Sequence, residues 1–339
     1  MTSAEFRVEA TRGPLTESVH RVSVAVVHHD GRLIASAGDP GYVTWWRSAA
    51  KPFQAMPLVE DGVTERFALE SPELAMACAS HSSEPVHLEA VDRFMHKTGV
   101  RESDLACGIH PPISPEVATA VQCGSLTMTP KWSNCSGKHT GMLALAKHRG
   151  WQLEGYNAEG HPVQDRILDA ISAWTDVGRS DIAIAPDGCT AACFALPLRN
   201  MALAYARLGV SEDAAPRQIT RAMMTHPLLV AGTGRLCTDL MAGWPGNIIA
   251  KVGADGIYCA SLRWLGLGVA LKVLDGDGRA SQVALLEVIR QVLEHRPAPN
   301  PKAYSLQPLA SYARASLVNT RGVTTGELRP AGRLQFFDV

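Results

Sequence analysis

Arg47-Ser48-Ala49-Ala50-Lys51-Pro52 is the stretch on which the reading of this chain turns. Pro52 falls where proline is tolerated, inside the first turn of a helix that runs on as an apolar stretch to residue 60. Residues three apart at a helix start share a face, so Ser48 Oγ and the Lys51 amine come within hydrogen-bond reach of each other. A lysine in a secluded site loses proton affinity and can act as a neutral base. It could then strip the serine hydroxyl and give the activated nucleophile that acyl transfer requires. Arg47 beside it could depress the lysine further or bind a carboxylate. The bland alternative is a capping serine followed by an exposed lysine. Two features favour chemistry: the chain has only eight lysines, and Ala49-Ala50 leaves room for a ligand.

The flanks suggest a mixed layout. Residues 20–37 are two β-rich runs around Asp30-Gly31, a hairpin signal, and Gly38-Asp39-Pro40-Gly41 then breaks the chain. Residues 74–79 form a short buried segment. Residues 85–99, 135–148, 162–174, 196–208, 215–226 and 279–295 carry helical spacing, and 111–130 reads as loop and turn. Residues 248–252 and 266–273 read as strands, and the last forty residues as proline and polar turns. No repeat, linker or composition shift marks a boundary. The expectation is one α/β (α+β) domain over 1–339, with an antiparallel sheet flanked by helices and room for two lobes.

Composition narrows the function. With 339 residues, 46% apolar and 19% charged, the chain can bury a large core. A net charge of −1 and no basic run argue against nucleic acid or an anionic membrane as partner. The N-terminus lacks a signal-peptide pattern and no apolar run is long enough to span a bilayer, so a cytoplasmic location is expected. The eight cysteines are scattered without a CxxC, which favours free thiols over a disulfide framework.

Two further clusters matter. Ala79-Ser80-His81-Ser82-Ser83-Glu84 places hydroxyls and a histidine after an apolar run. It reads as a capping turn or as a second serine in need of a distant lysine. Lys251, in an apolar strand-like stretch where an unpaired charge is costly, is a candidate for that lysine. Ser133-Asn134-Cys135-Ser136-Gly137-Lys138-His139 and Asp187-Gly188-Cys189 bring thiols and glycines together. Spacing alone leaves buried thiols and a zinc site equally open. Lys97-Thr98-Gly99 imitates a β-lactamase motif, but it falls at the end of a helical segment, and Ser-Asp-Asn is absent. It reads as a helix C-terminus closed by glycine.

Taken jointly, these segments resemble the class 3, rhizobial-type L-asparaginases, also known as asparaginase II. Besides the motifs quoted, the match runs through Cys107-Gly108-Ile109-His110-Pro111 and Ala231-Gly232-Thr233-Gly234-Arg235-Leu236-Cys237-Thr238. It continues through Lys251-Val252-Gly253-Ala254-Asp255 and Val318-Asn319-Thr320-Arg321-Gly322, in order from about residue 10 to about 326. The resemblance implies a fold like that of serine β-lactamases and glutaminases, and a homodimer. It implies that Ser48 and Lys51 form one serine–lysine tandem, and Ser80 and Lys251 an adjacent one. Cys135, Lys138 and Cys189 would ligate a zinc ion (Zn2+), with water completing the shell. Arg47, His139 and Asp187 would position the substrate and its surroundings, and Cys237 matches a further cysteine near the site. Lys272 keeps the reading of a surface or strand-end lysine. The stretch 209–236 is shorter than in some relatives, which moves helix boundaries but no catalytic position.

The implied reaction is hydrolysis of L-asparagine to L-aspartate and ammonia, with Ser48 attacking the amide carbon and Lys51 carrying the proton. Zinc would orient its neighbours rather than act as the Lewis acid. The rival readings are another Ser-Lys acyl hydrolase, such as a glutaminase or a β-lactamase-like enzyme, and a non-enzymatic zinc-containing amino-acid-binding protein.

Overall fold

The hairpin expected around Asp30-Gly31 is present, and the sheet grows from it. In the computed structural model, which describes residues 5–297 and 304–337, twelve strands lie among the described residues. Residues 1–4, read above as part of a leaderless N-terminus, lie outside them. The strands are β1 (Phe6–Arg12), β2 (Leu15–His28), β3 (Leu33–Ala37), β4 (Val43–Trp45), β5 (Ala183–Pro186), β6 (Ala192–Pro197), β7 (Ile248–Val252), β8 (Ile257–Leu262), β9 (Leu267–Val273), β10 (Ala315–Val318), β11 (Thr324–Gly332) and β12 (Gln335–Phe336). The chain divides into two compact units, each assembled from separate stretches of sequence.

The first unit comprises Met1–Ala49, Leu196–Val210 and Asp239–Val339. Its nine-stranded sheet runs β10-β11-β1-β2-β9-β8-β7, with β3 pairing both β2 and β12. Every pairing in it is antiparallel. Strands β8 and β9 are buried along their whole length and therefore lack the alternation that marks a half-exposed strand. The helices Leu198–Val210 and Gly278–His295 pack on this sheet. Gly268 lets the first of them approach, since a Cβ there would stand 1.9 Å from the Ala202 carbonyl oxygen. Asp277 caps the second, accepting from the Arg279 and Ala280 amides.

The second unit, Ala50–Ala195 and Ser211–Thr238, is mainly helical. At its centre lies Ser136–Arg149, buried from Ser136 through Ala146 on every side, as expected of a core helix rather than a surface one. The helix Pro85–Thr98 begins at a proline and ends on left-handed Gly99, so Lys97-Thr98-Gly99 is a helix terminus as read from sequence. A β5–β6 hairpin carries Cys189 on its turn.

The antiparallel sheet with flanking helices matches the sequence reading, but several elements differ from it. Residues 111–130 contain the helix Pro115–Gln122, only 8 residues long and with none of them buried, too short for its spacing to stand out from the turns around it. The segment 74–79 is the end of the helix Ser71–Ala77. Strands β10, β11 and β12 replace the proline and polar turns expected of the last forty residues, because β11 pairs β1, which the sequence reading did not assign, residue for residue from Phe6↔Gly332 to Ala10↔Leu328. Lys272 is the strand-end lysine expected, next to last in β9, but it is only 9% exposed rather than on the surface, and its amine donates to the Asp255 carbonyl.

Candidate active site

Each unit carries one set of the residues singled out by sequence. In the first unit, Arg47 opens the 3-10 turn Arg47–Ala50 with a left-handed backbone, φ 52°. That conformation costs a non-glycine residue of order 1–3 kcal/mol, so the surrounding structure must hold it. Ser48 is the next residue, half-buried. The Arg47 guanidinium pairs with the Asp255 carboxylate, so the cation expected to meet a substrate carboxylate already has one from the protein. Gly253 makes this possible, since a Cβ there would lie 1.9 Å from Ile257 Cγ2 and 3.3 Å from Arg47 Cβ. Lys251 lies on β7 opposite Cys259, 1% exposed, with its amine 3.0 Å from the Val252 carbonyl oxygen. Burial pushes the Cys259 thiol up to about 12.

In the second unit, Lys51 is the first residue of the helix Lys51–Gln54 and has no exposed surface. Its amine donates to the Ala79 carbonyl and lies 3.0 Å from Ser80 Oγ and 3.2 Å from Cys135 Sγ. The lysine of the first tandem thus reaches the serine assigned to the second. Ser80 is held by its own amide, which donates to the Val230 carbonyl, and the His81 amide donates to Asn134. Both amides are therefore spent, and neither is a free donor for an oxyanion.

His81 fastens this loop from below. Its Nδ1 accepts from the Ser83 amide, which leaves Nε2 to donate to Ser136 Oγ at 2.9 Å. Burial holds the ring well below its ordinary pKa, so it stays neutral. Ser83, at φ 62°, is a second strained position, and its hydroxyl is anchored on the Trp132 carbonyl.

Cys135, Lys138, His139, Cys189 and Asp187 come from two elements. Cys135 is the N-cap of the central helix, and Lys138 and His139 stand in its first turn, both buried. Cys189 sits on the β5–β6 turn, whose strained residue Thr190 (φ 73°) is tied to Asn157 Nδ2 and to the Ala106 carbonyl. Lys138 Nζ lies 3.0 Å from Cys189 Sγ. The Cys135 thiol, hydrogen-bonded to Cys189, lowers the Cys189 pKa, with Lys138 adding to it, and the same bond raises Cys135. Burial would lower Lys138, but the two sulfurs and Asp187 outweigh it and raise the amine. The half-buried Asp187 turns its Oδ1 to the Gly188 amide. His139 Nδ1 meets Tyr156 Oη at 2.6 Å, and burial together with Lys138 brings the ring down to about 3. His139 Nε2 is buried with no partner.

Among the described residues no three His, Cys, Asp or Glu side chains gather as a metal site. Two thiols and one amine do converge, and beside them stands an orphaned buried nitrogen of the kind an ordered water or bound group satisfies. The donor set fits a soft cation only if lysine ligates as its free amine.

One feature has no role in the sequence reading. Arg235 donates through Nη1 to the Ser80 and Ala231 carbonyls, the latter at 3.0 Å. Its segment is recognisable, but contacts to backbone carbonyls leave no trace in residue type.

A protein-family model described as L-asparaginase II matches residues 8–330. No curated protein sequence matches the chain. Among solved structures, a β-lactamase from Mycobacterium bovis is 12% identical, with TM-score 0.39, covering 81% of this chain and 94% of that one. The octameric penicillin-binding protein homologue from Pyrococcus abyssi is 12% identical, with TM-score 0.42, covering 89% and 80%. A putative β-lactamase from Bacteroides dorei is 12% identical, with TM-score 0.41, covering 80% and 93%.

Proposed function

We propose that this chain, which belongs to the L-asparaginase II family, hydrolyses L-asparagine to L-aspartate and ammonia through serine–lysine chemistry. The observation that carries the reading is the buried Lys51 amine 3.0 Å from the Ser80 hydroxyl. An amine with no exposure has no solvent role to play, and a hydroxyl in hydrogen-bond range gives it a proton to move.

Ser48 is the nucleophile in this scheme. It stands three residues before Lys51, on the strained turn that opens at Arg47. Its hydroxyl proton passes to the Lys51 amine as Oγ bonds the amide carbon. Ser80, on the same amine, hands that proton to the departing nitrogen, and ammonia leaves. Water then attacks the acyl ester by the reverse proton path and releases aspartate. The family resemblance assigns Lys251 as the lysine of the second tandem, and Asp187 and His139 to positioning the substrate.

Cys135, Lys138 and Cys189 would hold a zinc ion, which would supply fixed positive charge behind Lys51 and clamp the hairpin turn to the helix. Cys135 Sγ accepts from Lys51 and aims that amine. A cytoplasmic homodimer is the assembly that goes with this reading.

Ammonia release from L-asparagine and L-glutamine, with ring opening of a chromogenic lactam followed by its colour change, tests the proposal directly. L-asparagine should be turned over with the highest kcat/KM. Preferential turnover of glutamine or of the lactam would replace this reading with the corresponding acyl hydrolase.

A further inference from the structure

Arg235 sits at the mouth of the Ser80 loop, in a segment built to hold it there. Four bonds join that segment to the loop: Ser80 N to Val230 O at 2.9 Å, Ser82 Oγ to Ala231 O at 3.0 Å, and Glu84 to both the amide and hydroxyl of Thr233. Gly232, at φ 142°, closes the contact, because a Cβ there would lie 2.3 Å from Ser82 Oγ. The guanidinium is half-buried and fixed by one nitrogen only. Both hydrogens of Nη1 are spent on the Ser80 and Ala231 carbonyls.

The opposite edge of the group, Nε with Nη2, bonds nothing among the described residues, and the guanidinium has no ion pair there. That edge meets carboxylates with two parallel hydrogen bonds. Glu84, the carboxylate of the Ser80 loop, is committed to Thr233. A guanidinium this well aimed, with its two-pronged edge open, is a receptor for an anion.

We propose that Arg235 anchors the α-carboxylate of the substrate. This rests on the asparaginase reading above. Asparagine carries its carboxylate only three bonds from the amide carbon, so the cation that holds one must stand beside the groups that act on the other. Arg235 bonds the main chain of the serine whose hydroxyl the Lys51 amine reaches. Arg47, the other arginine considered for this task, is engaged with Asp255. Arg235 is therefore a specificity-determining residue: it selects amides that bear a carboxylate at this distance.

The test is calorimetric binding of L-aspartate to the full-length protein, to R235Q and to R235K, with the melting temperature of each and wild-type ammonia release alongside. R235Q should bind L-aspartate at least about tenfold more weakly than wild type, the loss typical of a charge-assisted hydrogen bond. Its melting temperature should fall modestly, because the Ser80 and Ala231 carbonyls lose their Nη1 donor, but not so far as to unfold the protein at the assay temperature. R235K, which keeps the charge but not the planar edge, should fall between them. Unchanged affinity in R235Q overturns the assignment, as does an R235Q protein unfolded at the assay temperature, which would make Arg235 a strut for the loop. A wild-type protein that binds L-aspartate through Arg235 yet releases no ammonia from L-asparagine leaves the anchor standing and removes the asparaginase reading instead.

Discussion

Gly137 runs so close to Met76 that a methyl group built on the glycine would stand 2.3 Å from the Met76 carbonyl oxygen. This contact joins the central helix to the helix Ser71–Ala77, and Lys138 is the next residue along. The obstacle is backbone, not a flexible side-chain end, so G137A must push the two helices apart. Overpacking of this kind costs about 1–3 kcal/mol. The melting temperature should fall, and ammonia release should fall further than the loss of folded protein explains, since Lys138 and Cys135 shift with the helix. A variant as stable and active as wild type would show that the close approach is not needed.

Removing the proton-moving groups should separate chemistry from fold. S48A should lower kcat by about a thousandfold or more, in line with losing a nucleophile, with the circular dichroism spectrum unchanged. K51M keeps the buried stem and removes the amine, and should cost a similar factor. S80A should be milder than S48A. If S80A abolishes turnover and S48A does not, the serine bonded to Lys51 is itself the attacking group.

The thiol pair gives a metal test that does not depend on turnover. Cobalt(II) added to metal-free protein should produce thiolate-to-metal charge-transfer absorption. C135S and C189S should each weaken that band and lower zinc content by elemental analysis. A band unchanged in both variants would place the metal elsewhere.

Acid stability should report the cap of the helix Gly278–His295. Burial would raise the Asp277 pKa, but Arg279 and the two capping amides more than offset it and hold the carboxyl at about 2, below its usual 3.8. A depressed carboxylate stabilises the fold above its unfolded pKa, and that contribution fades as pH falls through the folded value. D277A should therefore lower unfolding free energy by about 1 kcal/mol at neutral pH, a typical cost for losing a cap. The gap to wild type should narrow between about pH 4 and pH 2. A gap that is the same at both ends would leave the carboxylate without a part in it.

Local signals were legible in the sequence, and long-range ones were not. Proline at the start and glycine at the end outline the helix Pro85–Thr98, and Asp277 marks the start of the last long helix. The hairpin at Asp30-Gly31 is carried by its own turn. Strand β1 turns into β2 at Gly13-Pro14, a local signal that the reading left unused, but its other partner β11 lies more than three hundred residues away. Strand β8, buried on both faces, reads as a plain apolar run. At the site, residue types and spacing singled out Ser48, Lys51 and the clusters around Ser80, Cys135 and Cys189, and the family resemblance gave Lys138 its place among them. They did not show that Lys51 reaches Ser80, that Asp255 occupies Arg47, or that Arg235 grips the Ser80 carbonyl. Each of those depends on where a distant segment lands.

The pairing of β1 with β11 also has a cost in time. A ribosome adds about 5–20 residues per second, so roughly 15–60 s pass between the emergence of the first strand and that of its far neighbour. Throughout that interval β1 can hold β2 on one side while its other rim of amides and carbonyls stays open to any passing strand. Crowded expression should therefore punish this protein during its manufacture more than after it, and slower initiation or chaperone capture of the nascent chain is the remedy its topology calls for.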